Sequence, residues 1–123
     1  MTIIQAITMA DERLPNVESM EQKLYWLGNC EASIYREIIH THDGGEGYPM
    51  PEISTATDTG LELIMPKPYD EAYVHYLMAQ ISYNADEITK YNNAIGMAEG
   101  LIDEFATSWK RDHMPKGLRR FRF

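Results

Sequence analysis

Apolar and polar positions alternate along this chain with helical rather than strand periods. The opening "TIIQAITMADERLPN" spaces Ile3, Ile4, Ala6, Ile7 and Ala10 for one face of a short amphipathic helix, which Pro15 stops. Ser19 followed three places on by Gln22 is a capping-box start, and Met20, Leu24, Leu27, Ile34 and Ile38 then recur at steps of three, four or seven. This predicts a long second helix from about Ser19 to His40. After Pro68, Asp70 is placed to cap a third helix bearing Tyr73, Tyr76, Leu77, Met78 and Ile81, with a break near Asn84. In the last helix Ile88, Tyr91, Ile95, Ala98, Ile102, Phe105 and Trp109 alternate steps of three and four, a heptad that demands packing along its whole length.

Between the second and third helices the pattern lapses. "DGGEGYPMPEISTATDTG" holds four glycines and two prolines, so neither a helical nor a strand period survives there. A loop that long in a compact domain is a candidate binding segment that orders on contact. "LELIMPKP" adds a brief extended stretch that Pro66 and Pro68 keep from being a central strand. The expected architecture is therefore all-α: a bundle of about four helices with a long final helix, the last two forming an antiparallel hairpin. Residues 1–113 form the bundle domain, with the loop and extended segment at 43–68, and residues 114–123 leave it as a basic C-terminal arm. The expected core residues are Trp26, Leu27, Ile34, Tyr73, Leu77, Tyr91, Ile95, Ile102, Phe105 and Trp109.

At 123 residues with 44% hydrophobic and 24% charged side chains, the chain suits one domain with one core. Its charge is uneven. From Ser108 onward six basic residues face one acid; subtracting these from totals of 11 and 19 leaves five basic and 18 acidic residues in the first 107. An acidic body cannot wrap nucleic acid, which needs a basic stripe to release counterions, so only the tail could do so. The tail is more simply read as docking on an acidic protein surface, a neighbouring copy included. Cys30 is the single cysteine, so no internal disulfide forms and a reducing interior is expected. No basic n-region and no membrane-length apolar run are present, so neither export nor a membrane is expected.

Two pairs raise the question of metal chemistry. Glu37 and His40 have the Glu-x-x-His spacing, and Glu71 and His75 lie one turn apart, so each pair shares a helix face. A di-metal bundle needs four carboxylates and two histidines, commonly as two such boxes, and only one box is here. The plainer reading puts these residues at helix ends and solvated faces, where His40, His42 and His113 favour a C-terminal dipole. No nucleophile elbow or phosphate loop occurs, and Cys30 lies within a helix pattern away from any histidine. Neither an enzyme nor a cofactor or metal is expected. Tyrosines 69, 73, 76, 83 and 91 are a local enrichment suited to cores that meet water and to interfaces.

Two long stretches then carry a resemblance: "LPNVESMEQKLYWLGNCEASIYREIIHTH" and, beyond the glycine-rich loop, "LIMPKPYDEAYVHYLMAQISYNADEITKYNNAIGMAEGLIDEFATSWKRDHMPKG". With Pro15-Asn16, Trp26-Leu27, Ile34-Tyr35, Pro68-Tyr69-Asp70, Tyr73, His75, Tyr76, Met78 and Tyr91-Asn92-Asn93 in that order, the chain resembles the head-to-tail connector proteins of tailed bacteriophages and prophages of Gram-positive bacteria. The resemblance runs from Leu14 to Gly117; Cys30 within "GNCEA" departs from it. It implies a helical adaptor, or head completion protein, that binds beneath the portal ring and joins the DNA-filled head to the tail. It further implies a homo-oligomeric ring in the virion, assembled from subunits made in the bacterial cytoplasm, with the portal and neighbouring connector or tail proteins as partners. DNA would slide through the channel without specific binding, and an acidic wall would not retain phosphates. The expected contact residues are Tyr48, Ile53, Lys116, Arg119, Arg120, Phe121, Arg122 and Phe123. Two other classes stand as alternatives: a helical metal-binding enzyme, and a small nucleic-acid-binding phage regulator using the tail.

Overall fold

The computed structural model of the chain describes residues 1–39 and 52–112, and these form an all-α bundle of four helices. Helix α1, Ile3–Arg13, begins with a complete capping box that the opening sequence carries as Thr-x-x-Gln: Gln5 N–H donates to Thr2 Oγ1 at 3.2 Å and Thr2 N–H to Gln5 Oε1 at 2.9 Å. Its buried residues, Ile3, Ala6, Ile7 and Ala10, are those the spacing selects, with Ile4 left facing solvent. The helix ends before Pro15, and Asn16 organises the corner. The Asn16 Nδ2 group donates to Asp11 and to the Leu14 carbonyl, both at 2.9 Å, while its Oδ1 accepts from Glu18 N–H at 3.0 Å.

Helix α2, Met20–Ile34, is capped by Ser19, whose hydroxyl accepts from Gln22 N–H at 3.1 Å. It runs on as a single π-helical turn, Tyr35–Ile39, so the helical stretch expected to about His40 is continuous to the last described residue but widens in its final turn. Both Ile38 and Ile39 in that turn are buried. Lys23, on the same helix, is buried with its ammonium 2.8 Å from Asp11, which ties α2 to α1.

Residues 52–70 cross the bundle without forming a strand. Their extended part pairs with the chain's opening through one isolated antiparallel bridge, Thr2 with Glu62. Ile3 N–H donates to the Leu61 carbonyl at 3.1 Å and Leu63 N–H to the Met1 carbonyl at 3.0 Å. Leu63 and Met65 drop into the core, and a cis Lys67-Pro68 bond precedes the next helix. Asp70 does not cap that helix as expected. Its backbone is already helical (φ −65°, ψ −18°), because the turn from Pro66 leads directly into it, whereas a capping side chain needs an extended residue. The buried Asp70 carboxylate lies instead 3.3 Å from the Met1 amino group.

Helix α3, Glu71–Asn84, is the buried centre: Ala72, Tyr73, Val74, Leu77 and Ala79 are all inaccessible. It ends at the expected Asn84 in a Schellman motif, with Glu87 N–H donating to the Ser82 carbonyl at 2.9 Å and Asp86 N–H to the Tyr83 carbonyl at 3.1 Å. Asp86 takes the left-handed position, φ 59°, usually given to glycine. Tyr83 and Tyr91 pack across the turn with ring centroids 5.3 Å apart.

Helix α4, Ile88–Asp112, spans 25 residues, a rod of about 37 Å, and packs chiefly along α3. Here the heptad expectation needs correction. Only Ala94, Ala98 and Phe105 are buried; Tyr91, Ile95, Ile102 and Trp109 are half-buried, and Ile88 is 55% exposed. The small side chains of Ala94 and Ala98 take the buried positions of α4, and the bulky heptad positions lie to either side of them. Of the ten expected core residues, Trp26, Leu27, Ile34, Tyr73, Leu77 and Phe105 are buried, and Ile102 and Trp109 pack against the core from its edge.

Candidate interaction surface

One buried polar cluster binds three elements. Glu31 on α2 is 3% exposed, and its Oε1 accepts from the Tyr73 hydroxyl of α3 at 2.5 Å. Its Oε2 accepts from Ile64 N–H at 2.9 Å, and the same Tyr73 hydroxyl accepts from Met65 N–H at 2.9 Å. Two backbone donors of the crossing segment, which has no sheet to satisfy them, are thus paired by side chains. Burial raises the Glu31 carboxyl, opposed by the hydrogen bonds from Tyr73 and Ile64. Burial and the neighbouring Glu31 also raise the Tyr73 phenol, and the Cys30 thiol is pushed up to about 12, chiefly by burial. A thiol that stays protonated is a poor nucleophile. The cluster therefore holds α2, α3 and residues 61–65 together and offers no reactive group. Sequence reading missed it because a glutamate in an amphipathic helix is normally solvated.

Among the described residues Glu37, Glu71 and His75 do not come together as a ligand set. Glu71 faces Arg13 at the end of α1, its carboxylate accepting from both guanidinium nitrogens at 2.9 and 3.3 Å. Those hydrogen bonds hold the Glu71 carboxyl below its ordinary range, and partial burial lowers the imidazole of His75. Glu37 lies on the exposed side of the π turn, and His40 falls outside the described residues. Among the described residues no group of three or more His, Cys, Asp and Glu side chains is placed to hold a metal ion.

The surface is more distinctive than the interior. A cleft of about 240 Å³ runs between α2 with its π turn on one side and α4 on the other, with Tyr76 of α3 between them. Its walls are apolar, from Cys30, Ile34, Ile38 and Ile102, and its rim is acidic, from Glu37, Glu99 and Asp103. Glu99 and Asp103 stand one helical turn apart on α4 and so project on one face. Beyond the cleft, Tyr25, Ile88 and Met97 are each more than half exposed, single apolar side chains on an acidic body.

Of the expected contact residues, Ile53 is half-buried over Gly28 of α2. Tyr48, Lys116, Arg119, Arg120, Phe121, Arg122 and Phe123 lie outside the described residues. The acidic rim was not singled out from sequence, although the four-residue spacing of Glu99 and Asp103 is legible there. Among the described residues no helix is long and apolar enough to cross a membrane. No protein-family model matches the chain, and comparison with curated proteins and with solved structures yields no match.

Proposed function

We propose that the chain is a structural adaptor of a tailed phage or prophage, a head-to-tail connector that binds the portal ring and links it to the tail. The observation that carries the reading is where the resembling residues fall. Asn16 makes the α1–α2 corner, Trp26, Leu27 and Ile34 form the inner face of α2, Tyr73 joins α2 to the crossing segment, and Tyr91 packs edgewise against Tyr83 at the hairpin turn. These are fold-defining positions, which supports reading the resemblance as one of architecture.

The surface supports the same reading. A one-sided α4 leaves Ile88, Tyr91, Ile95 and Met97 partly or largely accessible, as a subunit that gains its remaining contacts on assembly would require. The body's net negative charge suits a channel that must not hold phosphates. Electron microscopy of lysates from the parent phage lacking this gene, beside a complemented strain, tests the proposal. Filled heads and free tails that join only on complementation are the expected result; intact infectious particles without the protein would overturn it.

A further inference from the structure

We propose that the acidic-rimmed cleft between α2 and α4 is the docking site of the chain's own C-terminal segment, Arg119 to Phe123, folded back in the same molecule. The inference stands apart from the connector reading, because it rests on charge, register and reach alone.

The cleft combines apolar walls from Cys30, Ile34 and Ile38 with carboxylates at Glu99 and Asp103. A complementary ligand must carry aromatic or aliphatic side chains and positive charge together. Two segments of the chain lie outside the described residues, and they differ sharply. Residues 40–51 contain Asp43 and Glu46 and no lysine or arginine, so they lack the fitting charge. Residues 113–123 contain Lys116, Arg119, Arg120 and Arg122 and no acid, with Phe121 and Phe123 interleaved among the arginines.

The register also fits. In an extended segment Arg120 and Arg122 would project on one side about 6.6 Å apart, with Phe121 and Phe123 on the other. Glu99 and Asp103, four residues apart on a helix, are separated by about 6 Å along its axis. Two arginines can therefore meet two carboxylates on the α4 wall while the phenylalanines turn toward Ile34 and Ile38 on the α2 wall. Arginine is the suitable cation, since its planar fork pairs with carboxylates and stacks on apolar surface.

Reach is ample. Asp103 lies nine residues before Asp112, a climb of about 14 Å, whereas the seven residues from His113 to Arg119 span up to about 25 Å when extended. A short tether gives an effective concentration of order 1 mM, so a segment with a Kd near 100 µM would be docked about ten times as often as free.

Chymotrypsin cleavage after Phe121, which demands that this ring be accessible, tests the proposal on the full chain. Each rate is referred to that of a free peptide of the variant's own residues 113–123. Wild-type protein should be cut about tenfold more slowly than its peptide, in line with the docked fraction above. Glu99→Lys with Asp103→Lys, both at exposed positions, should abolish that protection, and adding Arg120→Glu with Arg122→Glu should restore it. Cleavage of the wild-type segment at the free-peptide rate, or protection unchanged by the charge reversal, would overturn the proposal. Protection that grows with protein concentration would overturn it too, by assigning the cleft to the segment of another copy.

Discussion

Tyr73→Phe probes the buried polar cluster with little change of shape, and its effect can be worked from the contacts. The phenol oxygen gives one hydrogen bond to the Glu31 carboxylate and accepts one from Met65 N–H. Losing a hydrogen bond to a charged group costs about 1.5–3 kcal/mol, and leaving a buried donor unpaired costs about 1–3 kcal/mol. Because the ring remains and relaxation recovers part of this, a net loss of about 3 kcal/mol is expected at pH 7. The loss should also depend on pH. Burial raises the Glu31 carboxyl, so its proton is taken up at higher pH in the folded chain than in the unfolded one. This group's contribution is therefore fully present below the unfolded pKa and is lost as pH rises through the folded pKa. Removing the Tyr73 hydroxyl takes away a bond that favours the ionised form, which raises the folded value further and deepens the loss on the alkaline side.

Urea unfolding followed by far-ultraviolet circular dichroism, at pH 7 and again near pH 5, measures both parts. The difference between wild type and Tyr73→Phe should shrink on acidification, since a protonated Glu31 no longer leaves a poorly solvated charge behind. A deficit under about 1 kcal/mol at pH 7 would mean that the crossing segment finds other partners, and the cluster would lose its assigned role. A deficit that grows on acidification would refute the sign of the argument.

Three further outcomes follow from the helices. Gly96 and Gly100 lie inside α4 with open space where a Cβ would stand, so alanine at each should raise stability by about 0.5–1 kcal/mol in urea unfolding. Asp86→Gly should stabilise the hairpin by up to about 1 kcal/mol, by relieving a left-handed residue at φ 59° in the Schellman turn, seen as a higher Tm. Ala98→Asp should prevent folding, because the new charge would be buried, whereas Ile95→Asp, at a half-buried position, should leave the far-ultraviolet spectrum intact at a cost nearer 1 kcal/mol.

That last contrast marks where sequence periodicity stopped being informative. The three-four alternation located α4 well, yet it weighted positions by hydrophobicity and so favoured Ile95 over Ala94 and Ala98. The packing inverts the weighting: small residues take the buried positions, and large ones take the flanks. The same blindness explains Asp70. Pro-Tyr-Asp before an apolar stretch signals a helix start, but the capping role depends on a backbone angle, and the preceding turn from Pro66 had already made that angle helical. By contrast Ser19, Asn16, Pro15 and the end at Asn84 act through local hydrogen bonds and ring geometry, and local chemistry is what a sequence displays directly.

The interaction surface was legible in composition and hidden in arrangement. An excess of acids in the body and of bases at the C-terminus can be counted from the chain, and the count alone suggests that the two attract. Which acids matter depends on bringing α2 and α4 together, residues some seventy apart in sequence, so that Ile34 and Ile38 face Ile102 beneath the Glu99 and Asp103 rim. Charge without that apolar cleft would be diffuse and screened beyond roughly 10 Å at ordinary ionic strength. The cleft without charge would accept any greasy segment. Their coincidence lets a sequence as short as Arg-Arg-Phe-Arg-Phe be discriminated, because each half rejects ligands that the other would admit.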